Sequence, residues 1–158
     1  MSSKAWEDLM RQTLERIASP GILKPEHVRD LTGLELFKGM IEGRVPPPPI
    51  TETAGFILTA AESGRVTFHG MPTAEFYNPL GSVHGGWITT LLDSCMACAV
   101  HTTLPAGQSY TTVELKVNFV RRVSVETGPV QAEGRLIYSG RQIATAEGML
   151  TDHAGKLL

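Results

Sequence analysis

Cysteine is scarce in this 158-residue chain: there are two, Cys95 and Cys98. Lying within an apolar stretch, they suit reduced, buried thiols better than a disulfide framework. The same spacing resembles a redox dithiol, but the pair sits inside a helical pattern and not at a helix N-terminus, which excludes thiol activation of that kind. No metal-ligand spacing links the five histidines, His27, His69, His84, His101 and His153, and two cysteines alone cannot close a zinc site. Charge of one sign is lacking too. The net charge is -2, and Arg121-Arg122 is the only adjacent basic pair, far short of a nucleic-acid footprint, so no DNA or RNA partner is expected. The N-terminus has no basic-then-apolar leader and no apolar run approaches the length of a bilayer span, which makes the cytoplasm the default compartment, with no membrane partner. A Gly-x-Ser-x-Gly nucleophile elbow is absent as well.

The chain that remains has the length and the ordinary apolar and charged fractions of one soluble domain with a real core. Residues 4–18 place Trp6, Leu9, Met10, Leu14 and Ile17 at helical spacing, predicting an amphipathic helix that ends near Ser19-Pro20-Gly21. A second short helix is predicted from Gly33 to Glu42, where Thr32 and Glu35 have capping-box spacing and Gly43 can terminate it. Pro46-Pro47-Pro48-Pro49 then imposes a stiff, extended connector. Acids and bases balance over residues 1–50, which read as a solvated helical extension leaning on a main domain of residues 51–158.

From Ala54 the pattern changes to strand, with a hairpin turn at Glu62-Ser63-Gly64. Three more strands are expected at Tyr110–Val120, Pro129–Tyr138 and Gln142–Thr151, the first with clear alternation, Thr111, Val113, Leu115, Val117 and Phe119 on one face. Between hairpin and strands lies the segment on which the chain is organised. Asn78-Pro-Leu-Gly-Ser-Val-His84-Gly85-Gly86 is a polar, glycine-rich turn that runs into a mostly apolar stretch, Gly86 to His101, read as a buried helix carrying one acid, Asp93. A buried carboxylate costs several kcal/mol unless paired, hydrogen-bonded or protonated, so Asp93 asks for a reason. The elements together predict an α+β domain whose antiparallel sheet wraps a central helix.

Asn78-x-x-Gly81-x-x-His84-Gly85-Gly86, then Leu92-Asp93, then Tyr-Thr-Thr-Val-Glu-Leu-Lys-Val-Asn-Phe from Tyr110, resembles the hotdog-fold acyl-CoA thioesterases of the phenylacetate-degradation type. The match runs from about Leu34 to the end and includes the proline-rich lead-in and the Ser139-Gly-Arg-Gln-Ile-Ala-Thr-Ala-Glu147 segment. The resemblance implies a sheet curled round the central helix, a homodimer with one continuous sheet, often a dimer of dimers (a homotetramer), and active sites at the subunit interface. It implies no cofactor, coenzyme A being part of the acyl-CoA substrate. Such proteins usually carry a further strand after the Asp-x-x-Gly turn, whereas the sequence stops at Lys156-Leu157-Leu158, so either the sequence is truncated or the last strand is missing, and an uncovered sheet edge is expected.

Thioester hydrolysis builds negative charge on the carbonyl oxygen and needs fixed donors there, with a group that activates the nucleophile. A helix N-terminus offers unpaired N–H groups at the positive end of the dipole, and glycine lets substrate approach the backbone. The Gly85 N–H is the expected oxyanion donor, with Gly86 and the His84 side chain in support, against the plainer reading of a helix-entry turn. Asp93 is the candidate base or nucleophile. Seven residues beyond Gly86, it falls within about 20 degrees of the same face but about 10 Å along the axis, too far for both to serve one carbonyl. Donor and acid of one site are therefore expected from two subunits with antiparallel central helices. A mixed anhydride and general-base activation of water are both open to Asp93, as is a structural role paired with arginine. By resemblance Asn78 orients water or thioester, and Thr112 fixes Asp93 or water across the interface; their plainer roles are a turn residue before Pro79 and an ordinary strand threonine. Ser139, Gly140, Arg141 and Arg121 are candidate contacts for the coenzyme phosphates. Hydrolysis of a medium-chain or aromatic acyl-CoA leads; a non-catalytic acyl-CoA-binding module and an enoyl-thioester hydratase using His84 are the alternatives.

Overall fold

The computed structural model describes residues 1–158. Its N-terminal part holds four short helices: α1 (Ser3–Arg16), α2 (Pro25–Asp30), α3 (Gly33–Ile41) and α4 (Pro49–Thr53). The strands β1 (Phe56–Glu62) and β2 (Arg65–Gly70) form a hairpin, the long helix α5 (Gly85–His101) follows, and β3 (Val130–Ser139) and β4 (Ala144–Asp152) close the order. All four strands make one antiparallel sheet, β1-β2-β3-β4. This sheet with its central helix is the hotdog architecture.

Local chemistry accounts for most boundaries. In α3 the capping box is made: the Thr32 hydroxyl accepts from the Glu35 N–H at 3.3 Å and the Thr32 N–H donates to Glu35 at 2.9 Å. Gly43 ends that helix region with φ +78°, a conformation that costs glycine little. Two helices depart from the expectation. α2 starts on Pro25, and the four prolines give way to α4, with Pro48 as N-cap and Pro49 as first helical residue, where proline's missing N–H would have been unpaired in any case.

α5 lies on one face of the sheet through buried Trp87, Ile88, Leu91, Leu92, Cys95 and Ala99, against Val66, Phe68, Val130, Ala132 and Leu150. Two glycines, paired across β3 and β4 as Gly134 and Gly148, set how close the helix comes. A Cβ on Gly134 would lie 2.2 Å from the Cys95 carbonyl oxygen, and one on Gly148 2.8 Å from Met96 Cγ. α1 takes the opposite face: His69, one residue from the helix-facing Phe68 and Gly70, meets Trp6 edge-on at 4.9 Å.

The expected strand at Tyr110–Val120 is corrected. Residues 109–120 form no ladder and make no backbone–backbone hydrogen bond. They run antiparallel to α5 along its open side instead, Tyr110 against His101 (ring centroids 4.9 Å), Thr112 beside Asp93 and Phe119 over Gly85. The alternation is real, with Leu115 and Val117 half-buried between exposed neighbours, but a ladder needs a partner edge and none borders this segment. The chain after the Asp152–Gly155 turn lies back on β4, where the Leu158 N–H donates to the Leu150 carbonyl at 2.9 Å.

The helix itself is also more open than its composition suggests. Thr89, Thr90, Asp93, Ser94 and Ala97 are only half-buried, so α5 has one face in the core and one facing residues 110–119. Small and hydroxyl-bearing residues mask that face in the sequence, because each threonine and serine bonds back to its own helix: Thr89 to the Gly85 carbonyl, Thr90 to Gly86 and Ser94 to Thr90.

Candidate active site

The loop before α5 is built by Asn78. Its side-chain carbonyl accepts from the N–H groups of Leu80 (2.9 Å) and Ser82 (3.2 Å), and its amide donates to the Ser82 hydroxyl at 2.9 Å. Both ends of the side chain thus hold the turn. Arg122, to which sequence reasoning assigned no role, donates to the Gly81 carbonyl at 2.5 Å and ties the loop to the far end of the 110–122 segment. Only the adjacency of Arg121 and Arg122 hinted at it; Arg121 itself is exposed.

At the helix start, His84 is the N-cap. Its Nδ1 accepts from the Gly86 N–H at 2.8 Å, so the proton of the neutral ring sits on Nε2. That bond removes Gly86 as a free donor and spends the His84 lone pair. The Gly85 N–H has no protein acceptor, and it points from the positive end of a helix of 17 residues. The Phe119 ring covers Gly85 so closely that a Cβ there would stand 3.0 Å from its Cζ.

Asp93 lies two turns further on. Thr112 donates to its Oδ1 at 2.8 Å, within one chain. The second oxygen accepts nothing and no arginine or lysine pairs with the carboxylate. Asp93 and Thr112 line a cavity of about 340 Å³ with Ser94 and Cys98 of α5, Phe56 and Phe68 of the sheet, Tyr110, and Pro48, Ile50 and Thr51 of the α4 region. Burial pushes the Cys98 thiol up to about 12, and the Cys95 thiol likewise to about 12, so both stay protonated and neither is a nucleophile at neutral pH. Burial, reinforced by Cys98, also raises the Tyr110 hydroxyl, leaving it neutral and able to donate.

Ser139, Gly140 and Arg141 stand apart from these groups. The sheet register puts Val130 and Gly70 by Trp87 and Leu91, and Gly134 by Cys95, so the β3–β4 turn lies beyond the C-terminal half of α5. Within one chain it is at the opposite end from Gly85.

A family model described as the thioesterase superfamily matches residues 80–158. The chain belongs to the thioesterase superfamily. It is a thioester hydrolase of the hotdog fold, with phenylacetate-degradation proteins among its structural neighbours. The phenylacetic acid degradation-related protein of Ralstonia eutropha JMP134 is 31% identical, aligned over 78% of this chain and 92% of its own, with a TM-score of 0.70. The 1,4-dihydroxy-2-naphthoyl-CoA hydrolase of Listeria monocytogenes (strain 10403S) is 24% identical over 109 residues, 69% of this thioesterase and 87% of that enzyme. A Streptococcus mutans UA159 protein solved bound to acetyl CoA shares the fold at 22% identity, with a TM-score of 0.60 over 66% of this chain and 81% of that one. The family match covers Gly85, Asp93, Thr112 and the β3–β4 turn of this thioesterase, and leaves α1 to α4 outside it. No helix of the thioesterase is long and apolar enough to cross a membrane.

Proposed function

We propose that this thioesterase hydrolyses acyl-CoA esters of medium-chain or aromatic acids in the cytoplasm, with Asp93 acting on a carbonyl polarised by the Gly85 N–H of a second subunit. The observation that carries the reading is Asp93 itself: a half-buried carboxylate on a cavity wall, one oxygen held by Thr112 and the other free. A carboxylate so placed delivers an oxygen nucleophile, its own or that of a water it deprotonates, to a carbonyl at the cavity mouth.

The oxyanion donor cannot come from the same helix, since Gly85 and Asp93 are about 12 Å apart at 1.5 Å per residue. Two copies packed with antiparallel α5 helices bring Gly85 of one to Asp93 of the other, and the β3–β4 turn of one to the α5 N-terminus of its partner. That pairing gives a homodimer with two shared sites, alone or within a dimer of dimers. Ser139, Gly140, Arg141 and Arg121 then serve the coenzyme phosphates. Asn78 orients the loop that presents His84 and Gly85, and its remaining amide hydrogen is available to water. Coenzyme A is part of the substrate, and the scheme calls for no cofactor.

The hydratase alternative is disfavoured by His84, whose Nδ1 is spent on capping α5 and whose Nε2 carries the proton. The test is thiol release from a panel running from acetyl to long-chain, phenylacetyl and hydroxybenzoyl esters, with wild-type protein beside Asp93→Asn. A fall of at least about a hundredfold in the variant is expected for loss of a general base or nucleophile; binding without thiol release by the wild type would refute the reading.

A further inference from the structure

The cavity beside Asp93 has a wall that the family match does not reach. Pro48, Ile50 and Thr51 close one side of it, facing the Asp93 side of α5, while Phe56 and Phe68, packed edge to face at 5.6 Å, form the apolar floor. This wall is held rigidly. Proline fixes the backbone angle through the connector, the Gly21 N–H donates to the Pro47 carbonyl at 2.9 Å, and buried Thr51 turns its hydroxyl back to the Pro48 carbonyl at 2.7 Å. It is also tied to the helix that carries the carboxylate: buried Trp87 of α5 donates from Nε1 to the Ala54 carbonyl, at the end of α4, at 2.7 Å.

We infer that the tetraproline connector and α4 are the size-selecting wall of the acyl pocket, with Ile50 as the residue that sets how large an acyl group the enzyme accepts. The inference rests on reading the cavity as the acyl site. At about 340 Å³ the cavity is at the small end of the roughly 300–1,000 Å³ range of ligand pockets. Its apolar floor and proline side favour a compact apolar or flat acyl group over a long chain. Ile50 is the adjustable part, because it is 45% exposed while Phe56, Phe68 and Thr51 are built into the core. A residue there changes the pocket without unpacking the fold.

The experiment compares kcat/KM over straight-chain acyl-CoA esters of increasing length, plus phenylacetyl-CoA, for wild type, Ile50→Ala and Ile50→Trp. The ratio of longer to shorter substrates is expected to rise in Ile50→Ala and to fall in Ile50→Trp by roughly tenfold, the discrimination one methylene brings in an apolar pocket. Asp93→Asn lowers all members of the series together and leaves the ratio unchanged. Wild-type ratios in both Ile50 variants, with thermal midpoints near that of the wild type, would overturn the inference while sparing the hydrolase reading. Should wild type release no thiol, the same ratios are read from calorimetric binding of non-hydrolysable acyl-CoA thioethers. A length preference that moves with Ile50 upholds the wall, and one that does not, or no binding at all, overturns it.

Discussion

Thr112 donates its hydroxyl hydrogen to Asp93 Oδ1 at 2.8 Å, from a segment that has no strand neighbour of its own. That bond fixes the plane of the carboxylate, so the oxygen left free keeps one direction. Thr112 is therefore a positioning residue. Hydrogen bonds to charged groups contribute about 1.5–3 kcal/mol, which corresponds to roughly ten- to a hundredfold in rate. Thr112→Val is expected to lower kcat by that amount with KM nearly constant, and Thr112→Ser to restore most of it. Steady-state kinetics on one good substrate decides; equal losses in the serine and valine variants would show that the hydroxyl is not the active part.

The shared site can be tested by mixing subunits. Asp93→Asn removes the acid, and Gly85→Pro removes the oxyanion N–H at a first helical position that otherwise accepts proline, although a Cβ there stands 3.0 Å from Phe119 Cζ and the Phe119 ring must give way. In randomly mixed dimers half the molecules carry one chain of each kind, and one of their two sites pairs an intact Gly85 with an intact Asp93. Co-refolded variants are expected to recover about a quarter of wild-type activity, as two-fold symmetry requires. Donor and acid from a single chain would give no recovery.

Close approach of α5 to the sheet at Gly134 predicts a stability effect separate from catalysis. With a Cβ only 2.2 Å from the Cys95 carbonyl oxygen, backbone must move. Gly134→Ala is expected to cost at least about 1–3 kcal/mol, the range of overpacked core sites, and to lower the urea midpoint. An unchanged midpoint would mean that the helix rides freely on β3.

Burial lowers His69 to about 4, with its Nδ1 2.8 Å from the Thr59 hydroxyl and its Nε2 unpaired beneath Trp6; burial lowers His101 in the same direction. The folded state thus holds His69 neutral where the unfolded chain, near 6.5, takes a proton. The contribution is fully present above 6.5 and is lost as pH falls towards 4, amounting to about 3 kcal/mol for His69 by linkage. Stability to urea is expected to weaken steadily from pH 7 to pH 5.5, a window above the ordinary carboxylate range. The slope should be markedly shallower in His69→Gln, whatever that variant's stability at pH 7; an identical slope would place the titration elsewhere.

Much of the architecture was legible in local chemistry. Thr32 and Glu35 marked α3 because a capping box acts within four residues, and the β1–β2 hairpin followed from alternation around Ser63-Gly64. The reason for Gly134 and Gly148 is not written in their strand patterns, since the α5 atoms across from them, the Cys95 backbone and the Met96 side chain, lie some forty to fifty residues away in sequence. The strand at Tyr110–Val120 was misread for a related reason: periodicity reports which side chains alternate, and says nothing of whether an edge is there to pair with.

By itself the sequence determined where α1, α3 and α5 start, the strands β1 to β4 and the spacing that separates Asp93 from Gly85, because each depends on neighbours within a few turns of chain. Tertiary structure alone decided that Thr112 reaches Asp93 within its own chain, that His84 takes the Gly86 N–H, and that Pro48 and Ile50 wall the cavity beside the carboxylate. Those contacts join residues whose side chains carry no mark of their partners, and only the packing of α5 between the sheet and the 110–119 segment brings them together.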